Sequence, residues 1–200
     1  SEQEQYTKVR QDEFLLQALQ GIYPKDRDVF HEFKAVGLQL LSDRFVIMLF
    51  HVDSWDYTAI PPEYQYNQIL LLEPIIRNGL DDICAGEHQV FVTYNTLDTC
   101  IGILNLSDQY SENASEICHN LQNSLKDEMK ITCTVASSAE HSGWDGLETA
   151  LKEAEAALKY RTLFGTGSIL SYRELEDGSR FRYNFDSHGS AKHLIHLSII

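Results

Sequence analysis

Basic residues are scarce in this 200-residue chain: 16 lysines and arginines stand against 30 acidic residues, a formal charge of -14. The acidic side chains are spread along the whole length, so the mean surface potential repels phosphate backbones and no direct nucleic-acid binding by these residues is expected. Cysteine is equally sparse. Cys84, Cys100, Cys118 and Cys133 form no C-x-x-C pair and sit inside apolar-periodic segments, which predicts buried free thiols in a reducing, cytoplasmic setting. No apolar run approaches the roughly 20 residues of a membrane helix. The longest candidates are Phe45 to Phe50 and the run around Ile69 to Leu72. On that ground a soluble chain is expected, and it also shows no secretory-leader pattern at its start. Also missing are a Gly-rich phosphate loop, an internal repeat, a low-complexity segment and any local Ser-His-Asp or Cys-His spacing that would nominate a nucleophile. Asn105-Leu106-Ser107 and Asn113-Ala114-Ser115 match the glycosylation sequon, but so short a pattern arises by chance.

What the chain does have is 43% hydrophobic residues, enough to close one substantial core. Residues 4–20 are helical in pattern, with Val9, Phe14, Leu15, Ala18 and Leu19 on one broad stripe and Gly21 at the capping position. That stripe is a candidate contact for a second copy of the chain, or it packs on its own sheet. A second helix is expected from Asp26 to Val36, closed by Gly37, and then comes the strand Arg44 to Asp53. Its β-branched and aromatic run lacks alternation, as in a central strand covered on both faces.

Pro61 and Pro62 interrupt the next loop, and Gln65 to Cys84 reads as a helix that Pro74 can kink. Two strands follow, His88 to Tyr94 and Cys100 to Leu106, joined by the hairpin Asn95 to Thr99. A helix over Ser111 to Met129, a strand over Lys130 to Ser137, and a helix opened by Trp144-Asp145 and closed by Gly165 complete the pattern. Ser168 to Tyr172 is a short last strand, Glu176 to Gly189 is loop-like, and Ser190 to Ile200 begins another helix or tail. The order predicts an α+β fold: a ferredoxin-like β-α-β-β-α-β antiparallel sheet with helices, preceded by N-terminal helices.

Several clusters invite a functional reading. His188, His193 and His196 include a pair that would share a helical face, a spacing that can bind zinc, but without a third ligand they read as part of a solvated connector. Glu73 and Asp81-Asp82 are expected on a solvated helix face. Trp55, Tyr57, Tyr64 and Tyr66 follow the first strand and either line a small-molecule site with Asp53 or cap the core.

Four segments carry a family likeness: Ile131-Thr-Cys-Thr-Val-Ala-Ser-Ser, Trp144-Asp-Gly-Leu, Glu153-Ala-Glu-Ala-Ala-Leu-Lys-Tyr-Arg and Ile169-Leu-Ser-Tyr. Together with the leading helix Glu13 to Gly21, their order and spacing over about residues 8–175 resemble the GGDEF-like domain that precedes the AraC-type helix-turn-helix in many bacterial regulators. The resemblance implies a nucleotide-cyclase-like fold over residues 44–175, after a helical segment at 1–43 and before a connector at 176–200 toward a DNA-binding domain. An active cyclase of this kind holds two Mg²⁺ ions on an aspartate ending the first strand and on acidic residues of the central hairpin.

Laid on this sequence, the metal aspartate falls at His51, and Asp53 matches the acidic position two residues on. A slip of two residues would instead bring Asp53 to the ligand position. The signature falls near Thr96 to Cys100, where both glycines and the metal-binding glutamate are missing. The resemblance therefore implies no catalysis, no cofactor and no metal, and a signal-relay domain acting on an attached DNA-binding domain, with a homodimer as a candidate state. The alternative is a small-molecule or nucleotide sensor using the old crevice at His51, Asp53, Trp55 and Asp98.

Overall fold

The computed structural model describes residues 2–22, 28–56, 58, 68–108 and 114–178. In chain order the elements are α1 (Glu2–Leu19), α2 (Val29–Ala35), β1 (Arg44–Trp55), α3 (Gln68–Cys84), β2 (Gln89–Thr96), β3 (Thr99–Asn105), α4 (Ala114–Met129), β4 (Ile131–Ser137) and β5 (His141–Ser142). A 3₁₀ turn at Trp144–Gly146 leads into α5 (Leu147–Lys159), α6 (Arg161–Phe164), β6 (Ile169–Ser171) and α7 (Tyr172–Glu176). The sheet runs β2-β3-β1-β4-β6, with β5 paired to the start of β1. Among the described residues only β4 and β6 pair in parallel, and the other pairings are antiparallel. The stretch β1-α3-β2-β3-α4-β4 is the expected β-α-β-β-α-β unit, and the fold class is as the sequence order predicts.

Strand β1 explains its own composition. Val46, Met48 and Phe50 point into the core shared with α3 and α4, while Phe45, Ile47 and Leu49 point into the core shared with α1, α2 and α5. All six are buried, so neither face of this run meets water and no polar alternation is needed within it. Gly102 of β3 lies opposite Met48. A Cβ there would come within 2.9 Å of the Phe50 ring, so the centre of the sheet closes only around a glycine.

The leading helices join the same core. Phe33 of α2 meets Phe14 edge-on at 4.9 Å and Trp144 at 4.9 Å, and Trp144 stacks on Phe45 at 4.9 Å. Asp28 caps α2 by accepting from the amides of Phe30 and His31. The chain then enters β1 past Asn105, which is wholly buried: its amide donates to the carbonyls of Ser42 and Arg44 and its oxygen accepts from Leu41 N at 2.6 Å. That sequon asparagine is committed to the fold. Asn113 lies outside the described residues.

The terminal strand β2 is covered at its middle. The carbonyl of Val92 accepts from Lys8 of α1 at 3.4 Å and from Arg77 of α3 at 3.1 Å, and both cations also bind Glu73. No described helix is long and apolar enough to cross a membrane.

Several local expectations are corrected. Val9 is 63% exposed, because the buried stripe of α1 starts only at Phe14. β1 continues to Trp55 through a bulge instead of ending at Asp53. The hairpin loop shrinks to a two-residue turn at Leu97 and Asp98, since Thr96 and Thr99 are paired. The long helix after Trp144 is split at Tyr160, where the backbone tightens and its amide bonds to Ala157 O and Leu158 O. Residues after Tyr172 form α7 before any loop. Glu73 is 6% exposed, not on a solvated face, because two cations draw it under α1.

Candidate functional site

The end of β1 and the β2–β3 turn form the end of the sheet at which the sequence places its candidate crevice. The antiparallel register sets His51 opposite Thr99. The Nδ1 of His51 lies 3.0 Å from the Thr99 hydroxyl, which lies 3.1 Å from Asp98 Oδ1. A consistent network has His51 Nδ1–H donating to Thr99 and Thr99 donating to Asp98. Asp98 also accepts from the Thr96 hydroxyl at 2.7 Å, and its backbone carbonyl accepts from Val52 N at 2.8 Å, so the turn is tied to β1. The hydrogen bond from Thr96, then that from Thr99 and the nearby His51 charge, hold the Asp98 carboxyl below its ordinary range. Asp98 remains 58% exposed at its side chain.

Asp53 turns elsewhere. The β1–β4 register shifts between Val52 and Ser54, and this bulge re-aims the side chain between them. One carboxylate oxygen accepts from the Arg161 guanidinium of α6, and the other accepts from the Thr134 hydroxyl at 2.6 Å and the Gly167 amide at 2.8 Å. Its side chain is 1% exposed. Gly167 adopts φ +67, so the loop that presents this amide needs a residue free of the Cβ penalty. Asp53 thus pins the α6–β6 connection to the centre of the sheet.

Trp55 is 8% exposed and belongs to the core shared with α3 and α4. Of the four crevice residues, the fold brings His51 and Asp98 together, within 3.8 Å, and sends Asp53 and Trp55 to different surroundings. Tyr57, Tyr64, Tyr66, His188, His193 and His196 lie outside the described residues. Among the described residues no group of three or more His, Cys, Asp or Glu is arranged to hold a metal ion.

Two cavities open at other places. One, of about 350 Å³, lies beside β2 between Lys8 and Gln11 of α1 and Arg77 and Asp81 of α3. Another, of about 570 Å³, lies at the opposite end of the sheet, where β1 begins and β4 and β6 end. None of His51, Asp53, Trp55 or Asp98 lines either cavity. The role of Arg161 had no local signal in the sequence, because its partner is 108 positions away.

Comparison with known proteins places the chain as follows. A sequence model described as a GGDEF-like domain matches residues 21–160. No curated protein matches the chain. Among solved structures, the active GGEEF domain of a diguanylate cyclase from Vibrio cholerae is similar at 11% identity, with a TM-score of 0.47 over 72% of this chain and 88% of that one. A GGDEF domain from Pseudomonas aeruginosa is similar at 12% identity, with a TM-score of 0.49 over 79% and 92% of the two chains. A GGDEF domain from Caulobacter crescentus, in complex with c-di-GMP, is similar at 13% identity, with a TM-score of 0.42 over 65% and 78%.

Proposed function

This chain belongs to the GGDEF-like domain family, and from that premise we propose that it is a signal-relay domain without cyclase activity, serving a bacterial AraC-type transcription regulator. The observation that carries the reading is the commitment of Asp53. Hard divalent cations need several oxygen ligands with open lone pairs. Here both Asp53 oxygens are taken by Arg161, Thr134 and Gly167 inside the fold. Position 51 offers an imidazole, a poor ligand for Mg²⁺. Asp98 is left as the one open carboxylate among the residues of the described turn, and its carboxylate is already bonded to Thr96 and Thr99. These residues do not fit a pair of Mg²⁺ ions carrying a triphosphate.

The test is incubation of the protein with GTP and Mg²⁺, followed by mass spectrometry for a cyclic dinucleotide and an assay for released pyrophosphate. No product is expected. Turnover that vanishes in Asp98→Ala would overturn the reading. The AraC-type context rests on the order of the motifs from Glu13 to Tyr172, and the coding sequence beyond Ile200 tests it: a helix-turn-helix pair is expected there.

Relay needs two states with different partner contacts. The proposed contact between two copies is the outer part of α1, where Tyr6 is 66% and Val9 63% exposed. Sedimentation equilibrium should detect a dimer that weakens in Val9→Glu, and a strict monomer at high concentration counts against it. A second reading, a nucleotide or small-molecule sensor at the old crevice, draws on the joined His51 and Asp98 at the open end of the hairpin. Thermal shift with guanine nucleotides separates the two: a stabilisation abolished by Asp98→Ala supports the sensor.

A further inference from the structure

The cavity of about 570 Å³ where β1 begins and β4 and β6 end gathers polar groups that the fold itself leaves unused. Ser137 of β4 and Ser171 of β6 are register partners on one face of the sheet, and both line it. Ser137 is 6% exposed, yet its hydroxyl has no hydrogen-bond partner among the described residues. Ser171 stands at the capping position of α7 and its side chain makes no capping bond. Ser171 is half-buried and the Ser137 residue lines the cavity, so both hydroxyls are open to a bonding partner that enters it.

The wall beside them carries both charges. Arg173 and Asp177 lie one helical turn apart at the cavity, and neither forms an ion pair with another described residue. Arg44, by contrast, is spent on Glu140 at 2.7 Å and Asp108 at 3.5 Å, so it neutralises the rim and is not available to a ligand. Val46, Leu106 and Ala114 supply an apolar strip of the lining. A simple anion would meet Glu140 and Glu174 at this rim, and a simple cation would meet Arg173.

From this arrangement we infer that the cavity binds a small zwitterion of the free amino-acid type, its carboxylate on Arg173 and the two serine hydroxyls, its ammonium on Asp177, and its side chain on the apolar strip. The site is separate from the His51–Asp98 end of the sheet, and it stands whether or not the domain turns over GTP.

The test is titration calorimetry, backed by thermal melting, with a panel of free L-amino acids and with propionate, propylamine, glycerol and inorganic phosphate as probes of each part alone. At least one amino acid is expected to bind and raise the melting temperature while the four partial probes do not. Arg173→Met, at an exposed position, and Ser137→Ala are each expected to weaken binding about tenfold or more, as loss of a charge-assisted or buried hydrogen bond does. Lys152→Ala, on the exposed face of α5, should bind as the parent does. The inference is overturned if no amino acid binds, if phosphate or glycerol binds as well as any amino acid, or if Arg173→Met and Ser137→Ala bind unchanged while keeping the parent circular-dichroism spectrum.

Discussion

Replacing Asp53 by alanine separates a strut from a metal ligand. In the fold the carboxylate is 1% exposed and accepts from Arg161, Thr134 and Gly167. Breaking a buried pair by removing one partner costs about 3 to 5 kcal/mol, and each buried donor left without an acceptor costs about 1 to 3 kcal/mol. Both figures need trimming here. The Arg161 side chain is 32% exposed and can rehydrate, and the Gly167 amide keeps the Thr134 oxygen at 3.1 Å as a second acceptor. A loss of about 2 to 4 kcal/mol is therefore expected. Urea denaturation followed by circular dichroism reads it directly, with the midpoint lowered and the slope unchanged, because the exposed area on unfolding stays the same. A carboxylate kept for a metal behaves in the opposite way when the metal is withheld: its removal leaves stability unchanged or raises it. A midpoint in Asp53→Ala equal to the parent's would refute the reasoning and reopen this position as a ligand.

Other outcomes follow from the same structure. Burial pushes the Asp12 carboxyl up to about 6, even with Lys8 Nζ 2.9 Å from its Oδ1. An acid whose folded pKa is raised gives its stability fully below the unfolded value and loses it as pH rises through the folded value. Asp12→Asn should thus flatten the fall in stability between about pH 4 and 7, recovering about 1 to 2 kcal/mol at neutral pH after allowance for solvent screening. Chemical denaturation across that range checks it, and an unchanged slope with pH refutes it. Gly102→Ala should destabilise by about 1 to 3 kcal/mol, because its Cβ would press on the buried Phe50 ring; an unaltered melting curve would contradict this. All four thiols are buried, and burial pushes Cys100 and Cys118 up to about 12 and Cys133 well above its ordinary value. An aromatic disulfide reagent should titrate no thiol in the native protein and all of them in denaturant.

Parts of this fold were open to reading from sequence, and the reasons are particular. The run from Phe45 to Phe50 betrays a strand with two covered faces, since neither face tolerates a polar residue. Spacing in α3, α4 and α5 is long enough to declare a helical period. α7 spans five residues, too few for a period to emerge. The break at Tyr160 is silent because the apolar positions keep their spacing across it. At the site, His51 and Asp98 meet because strand register alone determines that contact. Asp53 and Glu73 could not be placed the same way. Their fates depend on Arg161, 108 positions away, and on Lys8, 65 positions away, and no local pattern encodes such a distance.

The twin cations seated on the Val92 carbonyl reach beyond this one molecule. An outermost ribbon invites stray polypeptide to zip alongside it, the opening move of amorphous clumping. Any newcomer would find the central acceptor occupied and two positive charges standing guard, themselves anchored by a sunken glutamate. The margin of the sheet is thereby closed to uninvited neighbours while the helices above it stay free to meet chosen ones.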